Sequence, residues 1–244
     1  MKTIPIHLSG AVLAALVFLG IPSAAQAQII NVDFGTSYAA PYTGTGVIGT
    51  GTTWNFVSGG SDQFDGGLTT TGLALVDNNG AGTSALLTGT SDFFGNQAVS
   101  GDPSTAQALV QNFGGSNGSP GVLQYQVSGL TNGLYTVAVY DGNLSTGFTI
   151  NGASAGSTTS FSEFGPNAFS LGGNYVELTD VSVTDGTLTI IGTGLDSTQS
   201  FQADISGFQL EAQAVPEPST YALMFAGLIV LLLISRRRKS LPNS

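Results

Sequence analysis

From residue 29 onward the chain consists of short apolar stretches that alternate with polar positions and are interrupted by Gly, Asn-Gly and Asp-Gly. In "GVLQYQVSGLTNGLYTVAVYDG", Leu123, Tyr125 and Val127 fall on one side of an extended chain, with Gln124 and Gln126 on the other. A period of two is the mark of a half-buried strand. Thr131-Asn132-Gly133 follows, and Asn-Gly between alternating runs predicts a hairpin with a type I′ turn. Its second strand sets Tyr135, Val137 and Val139 on one face and closes at Asp141-Gly142. The segment "NYVELTDVSVTDGTLTIIG" predicts a second hairpin, 175–183 and 187–191, joined through Asp185-Gly186. "SFQADISGFQLEAQ" predicts a single closing strand, with Phe201, Ala203 and Ile205 alternating, then Phe208 and Leu210 after a bulge at Gly207. Further strands are predicted at 29–34, 53–57, 73–77 and 148–151. Helix signals are nearly absent. Many short strands with regular turn signals predict one all-β domain, an antiparallel β-sandwich or barrel.

The two ends of the chain follow other rules. Lys2, an apolar run from Ala11 to Ile21 and small residues at Ala25 and Ala27 make a signal-peptide pattern, with cleavage after Ala27 leaving Gln28 first. At the far end Tyr221 to Ile234 is an apolar run of 14 residues followed by Arg236, Arg237, Arg238 and Lys239. A bare span needs about 17–25 residues. Ser219, Thr220 and snorkelling basic side chains extend this one, and the basic cluster holds its end in the cytoplasm. Pro216 and Pro218 keep the preceding chain extended and accessible.

Pro216-Glu217-Pro218, an apolar helix and an Arg cluster, in that order, resemble the PEP-CTERM sorting signal of exported proteins in Gram-negative bacteria. The resemblance implies that exosortase, a membrane protease-transpeptidase, is the processing partner. It also implies a transient stay at the inner membrane with the domain in the periplasm, followed by passage to the cell surface or beyond. The division expected is a signal peptide at 1–27, the exported domain at 28–212, a linker at 213–219, a transmembrane helix at 220–235 and a basic tail at 236–244. The exported domain is also similar to the jelly-roll modules found beside this tail, which include carbohydrate-binding and malectin-like folds. That likeness rests on "INVDFG", "TTWN", "VSGLTNGLYTVAVYDG" and "ADISGFQLE".

Charge narrows the chemistry. All five basic residues are Lys2 and the four at 236–239, whereas all 15 acidic residues lie between Asp33 and Glu217. The only histidine, His7, lies in the leader, and there is no cysteine. The exported part therefore lacks an imidazole or thiol for nucleophile activation, the usual zinc ligands, disulfides and any cationic groove for nucleic acid. No carboxylate there can form an internal salt bridge. Carboxylates, hydroxyls, amides and aromatic rings remain.

Those residues define the candidates. Trp54 could stack on a sugar ring or anchor the core with Phe56, and Tyr38, Tyr42, Tyr140 and Tyr175 stand near strand ends where a ligand could lie. Asp62, Asp65, Asp77 and Asp180 sit in Asp/Asn-rich turns that suit either local hydrogen bonds or calcium. The expectation is no cofactor, with structural calcium as the alternative that these turns could hold. A carboxylate-pair glycosidase would need two acids across a cleft, and Asp33, Asp141, Glu163 and Glu177 are available, with no spacing that selects a pair. The expected role is a non-catalytic surface or extracellular-matrix component with weak binding to extracellular polysaccharide. The alternatives are a carboxylate-pair glycan-active enzyme and an ice- or flat-surface-binding protein, although the Thr-rich stretches show no repeat. In a host that has an exosortase, mass spectrometry of released protein should find a chain that begins near Gln28 and ends close to Pro216-Glu217-Pro218. An intact tail on the released form contradicts this.

Overall fold

The computed structural model describes residues 28–37, 39–59, 68–96, 102–118, 120–159, 168–195, 202–213 and 225–229. The chain divides into two units, Ala27–Gln213 and the two chain ends. In the end unit, residues 225–229 are helical and exposed. Among the described residues no helix is long and apolar enough to cross a membrane, and most of 220–235 lies outside them.

The Ala27–Gln213 unit is an all-β sandwich of jelly-roll character. One sheet has five strands in the order β11 (Tyr175–Val183), β8 (Gly133–Tyr140), β14 (Gly207–Ala212), β1 (Ile29–Thr36) and β2 (Asn55–Gly59). The other has six, in the order β10 (Ala153–Ser157), β9 (Thr146–Ile150), β12 (Leu188–Gly194), β7 (Val122–Ser128), β4 (Gly82–Ser91) and β3 (Leu68–Val76). A small third sheet joins β13 (Ala203–Ile205), β6 (Asn112–Ser116) and β5 (Phe93–Asn96). Pairing is antiparallel apart from β1 with β2. The alternation seen in sequence places Leu123, Tyr125 and Val127 inward against Phe34, Val137, Val139 and Phe208. The Phe34 and Tyr125 rings meet across the core at 4.5 Å. Strands β4, β5, β6 and β10, whose Gly, Ser and Thr content gives no strong apolar rhythm, are found in addition to the expected set. So is a one-turn helix, α1 (Ala106–Val110), with Thr105 as its N-cap.

Three local expectations are corrected. Strands β7 and β8 do not form a hairpin, because they belong to different sheets and their connection is an arch across the sandwich. Neither Asn132 nor Gly133 has the positive φ that a type I′ turn demands. Strands β11 and β12 likewise part into different sheets. The two arches are bonded to each other instead: Leu130 N donates to Gly186 O at 3.0 Å, and Gly186 N donates to Asn132 Oδ1 at 2.8 Å. The type I′ turn occurs at Asn151-Gly152, with φ of 48° and 80°, where Ile150 faces Ala153 in the β9–β10 hairpin. The predicted closing strand is two strands, β13 and β14, that change sheets at Ser206.

The change at Ser206 requires close backbone approach. A Cβ on Gly207 would lie 2.4 Å from the Val32 carbonyl oxygen on the paired strand. Gly207→Ala should therefore lower stability by about 1–3 kcal/mol, as overpacking against fixed backbone does. Urea denaturation followed by Trp54 fluorescence measures it.

Candidate functional site

The outer face of the five-stranded sheet is closed. Residues 39–54 and α1 cover it, with Tyr42, Ile48, Trp54, Leu109, Val110 and Tyr140 buried in one cluster. The structure thus brings together four of the aromatic candidates, Trp54, Tyr42, Tyr140 and Tyr175, and turns the first three inward. Trp54 is 8% exposed, Tyr42 3% and Tyr140 0%. The Tyr42 and Trp54 rings meet edge-on at 5.0 Å, and Tyr140 lies 6.0 Å from both Trp54 and Tyr175. Trp54 Nε1 donates to Gly44 O at 2.9 Å, and Tyr42 OH donates to Thr45 O at 2.9 Å. Burial pushes the Tyr42 phenol up to about 12 and raises Tyr140 further still. Only Tyr175, half-buried at the edge of the cluster, keeps a partly open ring. Tyr38 lies outside the described residues.

The acidic candidates are dispersed. Asp77 Oδ1 accepts from Asn79 N and Ala81 N, each at 2.9 Å, which is the local bonding of a turn aspartate. Asp180, with φ of 58°, sits at a bulge in β11 and accepts from Gln213 Nε2 at 3.0 Å. Among the described residues no three acidic or His/Cys side chains gather as a metal cluster. Asp62, Asp65 and Glu163 lie outside the described residues, as do the sorting residues Pro216, Glu217, Pro218, Arg236, Arg237 and Arg238. Glu177 is exposed on β11, whereas Asp33 and Asp141 are fully enclosed and have no surface to offer a substrate.

The outer face of the six-stranded sheet presents a different surface. None of its six strands contains a charged residue, in a domain otherwise rich in carboxylates. Cross-strand register lines up Thr69, Thr90, Gln124, Ile191, Thr149 and Ser154 in one row. Thr88, Gln126 and Thr189 form the next. Neighbouring strands lie about 4.8 Å apart, so these rows offer hydroxyl and amide groups at nearly even spacing. A groove of about 270 Å³ is lined by Thr69, Thr70, Thr88, Gly89, Thr90, Gln124 and Gln126. It adjoins the bulge in β3 between Thr70 and Leu73, where Gly72 N donates to Thr88 Oγ1 at 3.1 Å. Leu86 and Val122 are exposed at 39% and 53% on the same face. The sequence marks Gln124 and Gln126 as outward-facing, but only the register assembles them with threonines from strands far apart in the chain.

The PEP-CTERM protein-sorting motif matches residues 214–239. The motif indicates an exported protein with a C-terminal membrane-anchored sorting signal, processed by exosortase. No curated protein matches the chain in sequence. Among solved structures, the chain is similar to protein YxiM of Bacillus subtilis at 14% identity and a TM-score of 0.37, over 76% of this chain and 40% of that one. It is similar to the plant receptor-like kinase FER at 14% identity and a TM-score of 0.42, over 78% of this chain and 42% of that one. A complex of FER with the plant peptide RALF23 and LLG2 aligns at 13% identity and a TM-score of 0.40, over 76% and 40%. The chain thus spans about two fifths of the length of these structures.

Asp33 governs one solution property. It stands at 0% exposure on β1, and its Oδ2 accepts from Tyr42 N at 2.8 Å while Oδ1 has no partner. Burial pushes its pKa up to about 8, against the lowering effect of the Tyr42 bond, and Tyr42 is the titratable group that faces it. The folded chain therefore keeps the proton over a range, from about pH 4 to 8, in which the unfolded chain has lost it. A native state that binds more protons loses stability as pH rises. Unfolding free energy should fall between pH 5 and 8, with Asp33 contributing up to about 1.4 kcal/mol per pH unit. Asp33→Asn should flatten that slope and melt higher than wild type at pH 8.

Proposed function

We propose that this exported protein is a non-catalytic component of the cell surface or extracellular matrix that binds neutral polysaccharide through the outer face of its six-stranded sheet. The observation that carries the reading is the uncharged row of Thr, Gln and Ser side chains beside a groove. Sugar hydroxyls need donors and acceptors at short intervals, and sugar C–H faces need apolar patches such as Leu86 and Val122. A neutral face in an acidic domain also limits repulsion toward other anionic matrix components while leaving neutral chains free to dock. Two of the acids available for a glycosidase pair, Asp33 and Asp141, are enclosed, which favours binding over hydrolysis. Gln124 and Ile191 break the Thr row with side chains of unequal length, which favours a glycan over the regular lattice of ice.

Affinity electrophoresis and a glycan array with the full chain in detergent test the proposal. Neutral polysaccharides should retard wild type, with no reducing ends released on long incubation. The double variant Gln124→Ala, Gln126→Ala loses two hydrogen-bonding amides and should bind at least about 10-fold more weakly with an unchanged melting temperature. Undiminished binding in that variant moves the site elsewhere, and turnover of a polysaccharide overturns the non-catalytic reading.

A further inference from the structure

Asp141, just after β8, and Asp204, in β13, are separated by 63 positions in sequence (204 − 141) and brought together in the fold. Both are completely buried, and their carboxyl groups stand within hydrogen-bond reach of each other. Oxygen-bearing side chains surround them. Thr158 Oγ1 donates to Asp141 Oδ2 at 2.8 Å, and Asn143 N donates to Asp141 Oδ1 at 3.2 Å. Thr146 Oγ1 donates to Asp204 Oδ1 at 3.3 Å and accepts from Asp204 N at 3.2 Å. The last oxygen, Asp204 Oδ2, is enclosed in the same site without a hydrogen-bond partner.

Two acids in contact, out of reach of water, require a positive counterpart. Elsewhere Lys, Arg or His would supply it. Between residues 28 and 213 this chain has none of the three, so the neutralising charge is either a proton shared by the two carboxyls or a cation from solution. We propose that Asp141 and Asp204 hold a calcium ion, with the hydroxyls of Thr146 and Thr158 and the side chain of Asn143 completing an all-oxygen shell. The donor set is hard and anionic and contains no nitrogen or sulfur ligand, which suits calcium rather than a transition metal. The ion would tie the end of β8 and strand β13 to the open end of the β9–β10 hairpin, where Thr158 N already donates to Thr146 O at 3.0 Å. This site is separate from the Asp/Asn turns, where Asp77 already bonds its own backbone. It is also independent of the glycan-binding reading, because it lies in the interior and not on the six-stranded face.

The test uses the full chain in detergent, stripped with EDTA and returned to calcium chloride or to sodium chloride of equal ionic strength. Extracellular calcium modules bind in the region of about 10⁻⁴ M. About 10 mM calcium, roughly 100-fold above that constant, should therefore raise the melting temperature by about 5–10 °C beyond the sodium control. Metal analysis after equilibrium dialysis should find one calcium per chain. Asp204→Asn should lose both responses, and Asp77→Asn should keep both. Should Asp204→Asn fail to fold, the milder Thr158→Val should fold and weaken calcium at least several-fold. Wild type that binds no calcium and shows no shift overturns the proposal and leaves a shared proton as the neutralising charge. A calcium response that survives in Asp204→Asn and disappears in Asp77→Asn overturns it in favour of the turn.

Discussion

Gln209, on β14, has both ends of its amide occupied inside the protein. Its Oε1 accepts from Tyr140 OH at 2.5 Å and from Ile48 N at 2.9 Å, and its Nε2 donates to Asn31 Oδ1 at 2.8 Å and to Ile48 O at 3.0 Å. Tyr140 OH in turn accepts from Val47 N at 2.7 Å. A buried polar network satisfied at each of these atoms holds one arrangement against its alternatives. Here it pins the 39–54 segment onto the outer face of the five-stranded sheet, with Trp54 and Tyr42 packed beneath. The rings that would serve for sugar stacking are thereby committed to structure, and the open surface passes to the other sheet.

That open surface is neutral because the charge is placed elsewhere. The described exported domain carries acids but no bases, so each enclosed carboxylate must be neutralised by means other than an ion pair. Asp33 keeps its proton, with burial as the cause. Asp141 and Asp204 face each other without an internal counterion. Exposed acids such as Glu177, Asp180 and Asp185 lie outside the six strands of the candidate face. The sorting signal and the sandwich thus occupy separate parts of one chain, residues 214–239 and Ala27–Gln213.

Much of this was legible in the residues. The sorting motif is a contiguous pattern whose function depends on local chemistry: two prolines, an apolar run and a basic cluster. The strands that alternate strongly were legible too, since a period of two reports burial on one side whatever the partner strand is. Partner identity was not legible. Asn132-Gly133 and Asn151-Gly152 are the same dipeptide, yet only the second makes a type I′ hairpin, because the first lies where the chain crosses between sheets and its Asn side chain bonds the neighbouring arch. Likewise "ADISGFQLE" carries no local sign that it belongs to two sheets. The change depends on the tight contact of Gly207 with Val32, a residue 175 positions earlier (207 − 32).

The sequence by itself determined the all-β class, the sorting signal and the lack of Lys, Arg, His and Cys between residues 28 and 213, because each depends on composition or on neighbours along the chain. Tertiary structure decided which strands pair, which of two outer faces is covered, that Trp54 and Tyr140 point inward, and that Asp141 meets Asp204. Those outcomes depend on contacts between residues tens to more than a hundred positions apart. No local alternation or turn residue encodes such contacts, and only closure of the two sheets around a common core selects them.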